Sequence, residues 1–327
     1  MADLPRELFQ FYPIHAGAIV TLKNRRVWKI ISQEGCYICK ALDFPLAETA
    51  FIIDAMNHLA EMGFCHYNMV FPTIDGASFV TLEQRHYFLS KEIEGAPPSF
   101  SREEDTAAVG AFLGEFHQAA AGYQPQSPYE GRMKWGLWPE ILEGKCREMK
   151  DFGEREDPNH RRFSLIYRRH LPYFLEDAEA SAEFFWGQKY QTQWRAEEKQ
   201  GGFCHHDMAY HNFIQGDSLF LIDFDYALAD IRCHDIAQLL LKILKENHWE
   251  IHGALKALEE YDKTSPLSKE EPKIILEMLR FPQDFWQVAF ARYEEHSEDP
   301  RLERKLDHWV LRRGHRKRAL EALAREL

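Results

Sequence analysis

Up to about Ile93 the apolar positions come in short runs broken by polar turns, and beyond that they recur at helical spacing. Ala18–Leu22 and Val27–Ile31 read as strands around the turn Lys23-Asn24-Arg25-Arg26. A third strand follows Gln33-Glu34-Gly35 and ends in Lys40. Pro45 to Gly63 predicts a helix, with Ala50, Ile53, Met56-Asn57 and Ala60 at helical spacing and Gly63 closing it. Tyr67–Phe71, Ser78–Leu82 and His86–Leu89 read as three more strands, and Leu89–Gly95 as the link to a second region. There Ser101-x-x-Glu104 predicts a capping box ahead of the apolar stripe Val109, Phe112, Leu113 and Phe116. Gly122–Gly136 is a connection rich in Pro, Gly and Tyr. Helices are predicted at 139–152, 160–185, 188–198, 235–247, 250–261, 269–279, 282–293 and 301–323.

The helical run is interrupted once. Phe213-Ile214 and Leu219-Phe220-Leu221-Ile222 flank Gln215-Gly216-Asp217-Ser218, a hairpin with Gly-Asp at its tip. The pattern is therefore α+β: a small antiparallel lobe with one helix at 1–93, and a mostly helical lobe at 94–327. No internal repeat or low-complexity tract is present.

Composition narrows the options. The chain has 327 residues, 45% of them hydrophobic, enough for one large or two modest domains with a real core. A formal net charge of -12 argues against a general nucleic-acid binder. Arg312-Arg313-Gly314-His315-Arg316-Lys317-Arg318 is basic, but it lies on the last predicted helix and reads as a solvated face. No apolar run approaches a membrane span, and the opening residues lack the order of a signal peptide, so a cytoplasmic protein is expected. Six cysteines point to reduced thiols, and Cys36-x-x-Cys39 has no second pair with which to complete a zinc site.

The candidate chemistry sits around the hairpin, in Phe203-Cys204-His205-His206-Asp207-Met208-Ala209-Tyr210-His211-Asn212 and Ile222-Asp223-Phe224-Asp225. The hairpin would bring Asn212 and Asp223 together, with Asp207 in the loop just before. Two acids and an amide at one point can hold a hard divalent cation and activate a hydroxyl beside it.

His205-x-Asp207-x-x-x-x-Asn212 followed by Ile222-Asp223-Phe224-Asp225 resembles the catalytic loop and metal segment of the aminoglycoside-phosphotransferase and choline-kinase superfamily, relatives of the protein kinases. Through most of its length the chain is similar to the CotS-type spore-coat proteins within that superfamily. The likeness includes Lys40 with Glu48, Tyr87-Phe88-Leu89 leading to Ile93-Glu94-Gly95, Lys134–Pro139 and Pro266-Leu267-Ser268. It implies a protein-kinase-like two-lobed fold, with ATP and Mg2+ as cofactors. Asp207 would be the catalytic base and His205 would orient the loop. Asn212, Asp223 and Asp225 would be the metal ligands, and Asp235 the brace of the loop. Lys40 would reach the phosphates, paired with Glu48 or its rivals Asp54 and Glu61, because Ile52 stands at the usual mid-helix position. Leu89 and Lys91 would lie at the hinge beside adenine. The substrate would be a small hydroxylated molecule or a coat protein. The resemblance places the protein in the sporulating mother cell and then in the spore coat.

Other readings share these residues. Without the glycines that let backbone amides approach phosphate, Lys23–Arg26 points instead to a kinase-shaped structural coat protein of little or no turnover. His205, His206, Asp207, His211, Asp223, Asp225, His234 and Asp235 also spell a metal-hydrolase cluster. Taken alone, Asp230 and Asp235 read as helix caps. Trp135, Trp138, Phe184, Phe185, Trp186, Tyr190 and Trp194 read as packing aromatics, a quaternary-ammonium cage being the alternative. Tyr210 and Trp135 are the candidates for a pocket rim.

Overall fold

The computed structural model describes residues 4–23, 26–125 and 129–327. Alternating runs near the start become β1 (Ala16–Lys23), β2 (Val27–Ser32) and β3 (Gly35–Leu42), an antiparallel meander. Of the glycine-free turn, Asn24 and Arg25 lie outside the described residues. The sheet is completed by β4 (Val70–Phe71), β5 (Val80–Leu82) and β6 (Arg85–Lys91), in the order β1-β2-β3-β6-β4, with β5 also on β6. The run expected at 67–71 is mostly not strand. Tyr67 leaves the sheet to bridge Leu221 of the other lobe, and its hydroxyl donates to the Met56 carbonyl.

One face of the sheet packs Trp28, Ile30, Tyr37, Cys39 and Leu89 under the N-terminal turn carrying Leu8. Cys36 and Cys39 point to opposite faces of β3, as period-two alternation requires, and only Cys39 is fully buried. The other face is covered by α1 (Leu46–Glu61), whose Phe51, Ile52, Ala55, Met56 and Leu59 form one apolar stripe. That stripe belongs to the same core as Val109, Leu113 and Phe116 of α2 (Glu103–Ala120), so hydrophobic packing joins the two lobes.

The capping box does not form. α2 starts at Glu103 with no side-chain cap, Glu104 pairs with Arg102, and Asp105 accepts the Ser99 N–H at 2.8 Å. The box fails because the helix begins one residue later than its spacing needs, with Arg102 in the N-cap place. The remaining elements are α3 (Trp138–Glu154), α4 (Arg161–Trp186), α5 (Gln188–Gln200), β7 (Phe213–Gln215), β8 (Leu219–Leu221), α6 (Cys233–Glu246), α7 (His252–Thr264), α8 (Glu271–Arg280), α9 (Gln283–Tyr293) and α10 (Arg301–Glu326). At Gly110 the α2 backbone meets the α7 carbonyl of Ala257 so closely that a Cβ would overlap it. Gly95 does the same for the hinge against Gln215 of β7.

Candidate active site

The loop before β7 is held from below by one buried carboxylate. Asp235, in the first turn of α6, accepts the His205 N–H at 2.6 Å and the His206 N–H at 2.8 Å. Burial alone would raise this acid, but hydrogen bonds with His117 and His234 hold it well below the usual carboxylate range. The two backbone donors act in the same direction. Asp235 is thus a brace and not a cap. Asp230 is not a cap either: it accepts from the Trp138 indole N–H and faces His206 Nε2 at 2.9 Å. Burial pushes Asp230 up to about 7 and His206 down to about 4.

His205 is fully buried, and burial lowers its pKa, which favours the neutral ring. Its Nδ1 accepts the Asp207 N–H at 3.2 Å while Nε2 donates to the Ile222 carbonyl at 3.0 Å. It therefore ties the Asp207 loop to the Ile222–Asp225 segment from behind, a positioning place in keeping with the loop-orienting part expected of it and not one in contact with reacting groups. The Asn212 amide donates to the Asp207 carboxylate at 2.8 Å and to its carbonyl at 3.0 Å, leaving Oδ1 as the atom able to meet a cation. Asn212 also closes the hairpin by accepting the Ile222 N–H at 2.9 Å.

Asp223 has φ of 71°, a left-handed backbone uncommon outside glycine and enriched at functional sites. Lys40 of β3 forms ion pairs with Asp223 and, at 2.7 Å, with Asp225. Lys23 stands 4.0 Å from Asp223. Burial would raise Asp223, but Lys40 outweighs it and the pKa is lowered. Two hard carboxylates converging on one positive point, with the Asn212 amide on the same hairpin, are a donor set suited to magnesium.

Glu48 is not the partner of Lys40. It pairs with Arg132 at 2.7 Å, and Arg132 in turn donates to the carbonyls of Asp225 at 2.7 Å and Ala227 at 3.0 Å. Asp54 accepts from the Tyr123 hydroxyl and Glu61 is exposed, so neither rival takes the role. Glu48 sits in the first turn of α1, at the end that meets the Arg132 segment. Arg132 carries no motif that a single sequence would reveal.

Leu89 is displaced from the hinge. It lies inside the sheet between Cys39 and Phe71 with its side chain fully buried, two residues before β6 ends. Lys91, the exposed last residue of β6, is where the chain leaves the sheet.

Asp207 opens onto a cavity of about 440 Å³ lined also by His206, His234, Trp138, Lys145 and Lys242. The metal-hydrolase cluster does not assemble there. The rings of His206 and His234 stack at 3.8 Å and, with Asp230, bring three ligand atoms within 4.8 Å of one another, but the Asp230 carboxylate is engaged by His206 Nε2 and the Trp138 indole, and His205 and Asp207 do not join them. His211 is exposed, and Asp223 and Asp225 belong to Lys40. Among the aromatics considered for a cage, Trp138 reaches this cavity; of the two candidates for its rim, Trp135 lines a different cavity and Tyr210 is exposed.

Comparison with known proteins follows the same lines. A family model described as "Spore coat putative kinase YutH" matches residues 5–323. Spore coat protein S of Bacillus subtilis (strain 168) is 24% identical over 295 residues, covering 88% of this chain and 83% of that protein. An aminoglycoside phosphotransferase from Alicyclobacillus acidocaldarius superposes with a TM-score of 0.86 at 22% identity, covering 100% of this chain and 97% of that one. Amicoumacin kinase hAmiN, solved with AMP-PNP, Ca2+ and Ami, superposes with a TM-score of 0.66 at 14% identity over 97% and 92%. The fold is kinase-like and two-lobed.

Proposed function

The chain belongs to the spore-coat kinase family that YutH represents, and from that premise we propose that it is an ATP- and magnesium-dependent phosphotransferase acting on a hydroxyl group in the setting of the spore coat. The observation that carries this reading is the meeting of Lys40 from the sheet with Asp223 and Asp225 from the helical lobe, beside an Asp207 that lines an open cavity. A structural neighbour that holds a nucleotide analogue and a divalent cation lends it support.

Asn212 and Asp223, with Asp225 assisting, would hold magnesium; the ion supplies charge neutralisation at the nucleotide phosphates. Lys40 binds phosphate oxygens once it is drawn from its carboxylates. The segment from Lys91 to Gly95 lies at the adenine end. Asp207, fixed by the Asn212 amide, accepts the proton as the acceptor hydroxyl attacks the terminal phosphorus. The new O–P bond forms as the bond to the bridging oxygen breaks and ADP leaves. The proposed setting is the sporulating mother cell and then the spore coat, a reading that similarity to spore coat protein S supports.

A second reading, a structural coat protein with little turnover, draws on Lys40 itself. Its ammonium already occupies the point where Asp223 and Asp225 converge, and no acid of α1 holds it back. Thermal unfolding with magnesium and ATP separates the two. A catalytic protein gains stability with the logarithm of ligand concentration, about 2.7 kcal/mol at a hundredfold excess over Kd, and Asp223→Ala abolishes the gain. No stabilisation of the native chain by ATP and magnesium would leave the structural reading.

A further inference from the structure

The acceptor cavity is built for a particular charge. It lies between α3, α6 and the start of α9, and three lysines reach it: Lys145, Lys242 and Lys245. Lys245 is matched by Asp284 at 2.8 Å. Lys242 has no acidic partner among the described residues. Lys145 Nζ has one neutral partner, the Gln283 side-chain carbonyl at 2.8 Å, and stands over the Trp286 ring at 4.4 Å and the Phe281 ring at 5.6 Å. The nearby Glu148 carboxylate is engaged by the Trp286 indole N–H at 2.6 Å. Apart from Asp207, whose charge the reaction needs, and the matched Asp284, the lining carries no other carboxylate. Two cations are therefore left over, one set against aromatic rings where water is scarce. A desolvated ammonium with one of its three donors used is costly unless a ligand completes it. The first helical turn of α9 adds the positive end of its dipole to the same wall.

We infer that the acceptor is a hydroxyl-bearing anion of about the size of one sugar, a polyol or sugar carrying a carboxylate or phosphate, with Lys145 and Lys242 taking the anion and Asp207 the hydroxyl. This rests on the phosphotransferase reading for its reaction, but not for its binding. A polycationic acceptor would meet surplus charge of its own sign, and a neutral sugar would leave both ammonium groups incomplete. Trp138 and Tyr226 offer flat apolar surface against which the carbon skeleton can lie. The hydroxyl proton passes to Asp207, the hydroxyl oxygen gains the terminal phosphoryl group of ATP, and ADP leaves, so the anion itself is unchanged.

The test is calorimetric titration of the full chain with matched probes: gluconate and glucose 6-phosphate as the two anions, sorbitol and glucose as their neutral counterparts, and choline as a cation. At least one anion should bind at least tenfold more tightly than its counterpart, and which of them does so decides between carboxylate and phosphate. Lys242→Met, at the solvent side, should weaken that anion about tenfold, and Lys145→Met should do the same if it folds. Binding should persist in Asp223→Ala, which removes nucleotide binding, so failure of the acceptor class and failure of phosphoryl transfer read out separately. Preference for a neutral or cationic probe, no binding of either anion, or an unchanged anion preference in Lys242→Met would overturn the inference.

Discussion

Lys145 shows how a single residue sets the working range of a pocket. Burial pushes its ammonium down to about 8, with Glu148 opposing the shift. Gln283, Lys242, and the Lys245–Asp284 pair share the same walls. Below that value Lys145 is charged, so when gluconate is the anion preferred, its affinity, with a carboxylate that does not titrate there, should be flat to about pH 7 and fall as pH rises through 8. Calorimetry at about pH 7 and pH 9 is expected to give several-fold weaker binding at the higher value, and Lys145→Met should flatten the difference. Neither the lysine nor its role was legible beforehand. A lysine in the middle of an amphipathic helix is ordinary, and only the tertiary approach of Trp286 and Gln283 makes it special. Asp207, Asn212 and Asp223 were legible because their spacing around a Gly-Asp hairpin is itself geometric, and the fold places them as that spacing requires. His205 was legible as the residue that orients the loop, but the means, a buried ring bound to backbone atoms on both sides, shows only in coordinates.

At the scale of elements, α1 reports to the Asp223–Ala227 segment through an ion pair that replaces the expected one. Glu48 grips Arg132, and Arg132 grips the carbonyls that follow Asp223. Arg132→Met should therefore lower unfolding free energy by about 3 kcal/mol, the scale for breaking a buried, hydrogen-bonded charge pair. It should also weaken magnesium-dependent ATP binding, because the Asp225–Ala227 turn loses its anchor. Denaturant unfolding and a nucleotide titration check the two effects, and a variant matching the native chain in both would show that the pair is ornamental. Helix periods fixed most element bounds to within two residues, since a long amphipathic stripe leaves little choice. Short elements were misread where tertiary contacts decide them. Tyr67 exchanged sheet pairing for a bridge to Leu221, and the box at Ser101 lost to Asp105.

Across the whole molecule, one hydrophobic core running from α1 into α2 and the hairpin fixes the distance between Lys40 and its acids. The lobes thus meet as a preset cleft, and Asp207 also lines the cavity walled by Lys145 and Lys242. The alternation of strands at the front and helical repeats behind made this two-lobed plan legible, because each lobe buries its apolar face with a different period. The charge of the acceptor cavity was not legible, for its walls come from helices more than a hundred residues apart in sequence. Release of ADP from ATP and magnesium, with the preferred acceptor of the binding series present, tests the central claim most directly. The native chain should turn over at least about a hundredfold faster than Asp207→Asn, the low end of what a positioned base contributes. Equal rates in the two proteins, with ATP bound by both, would contradict it.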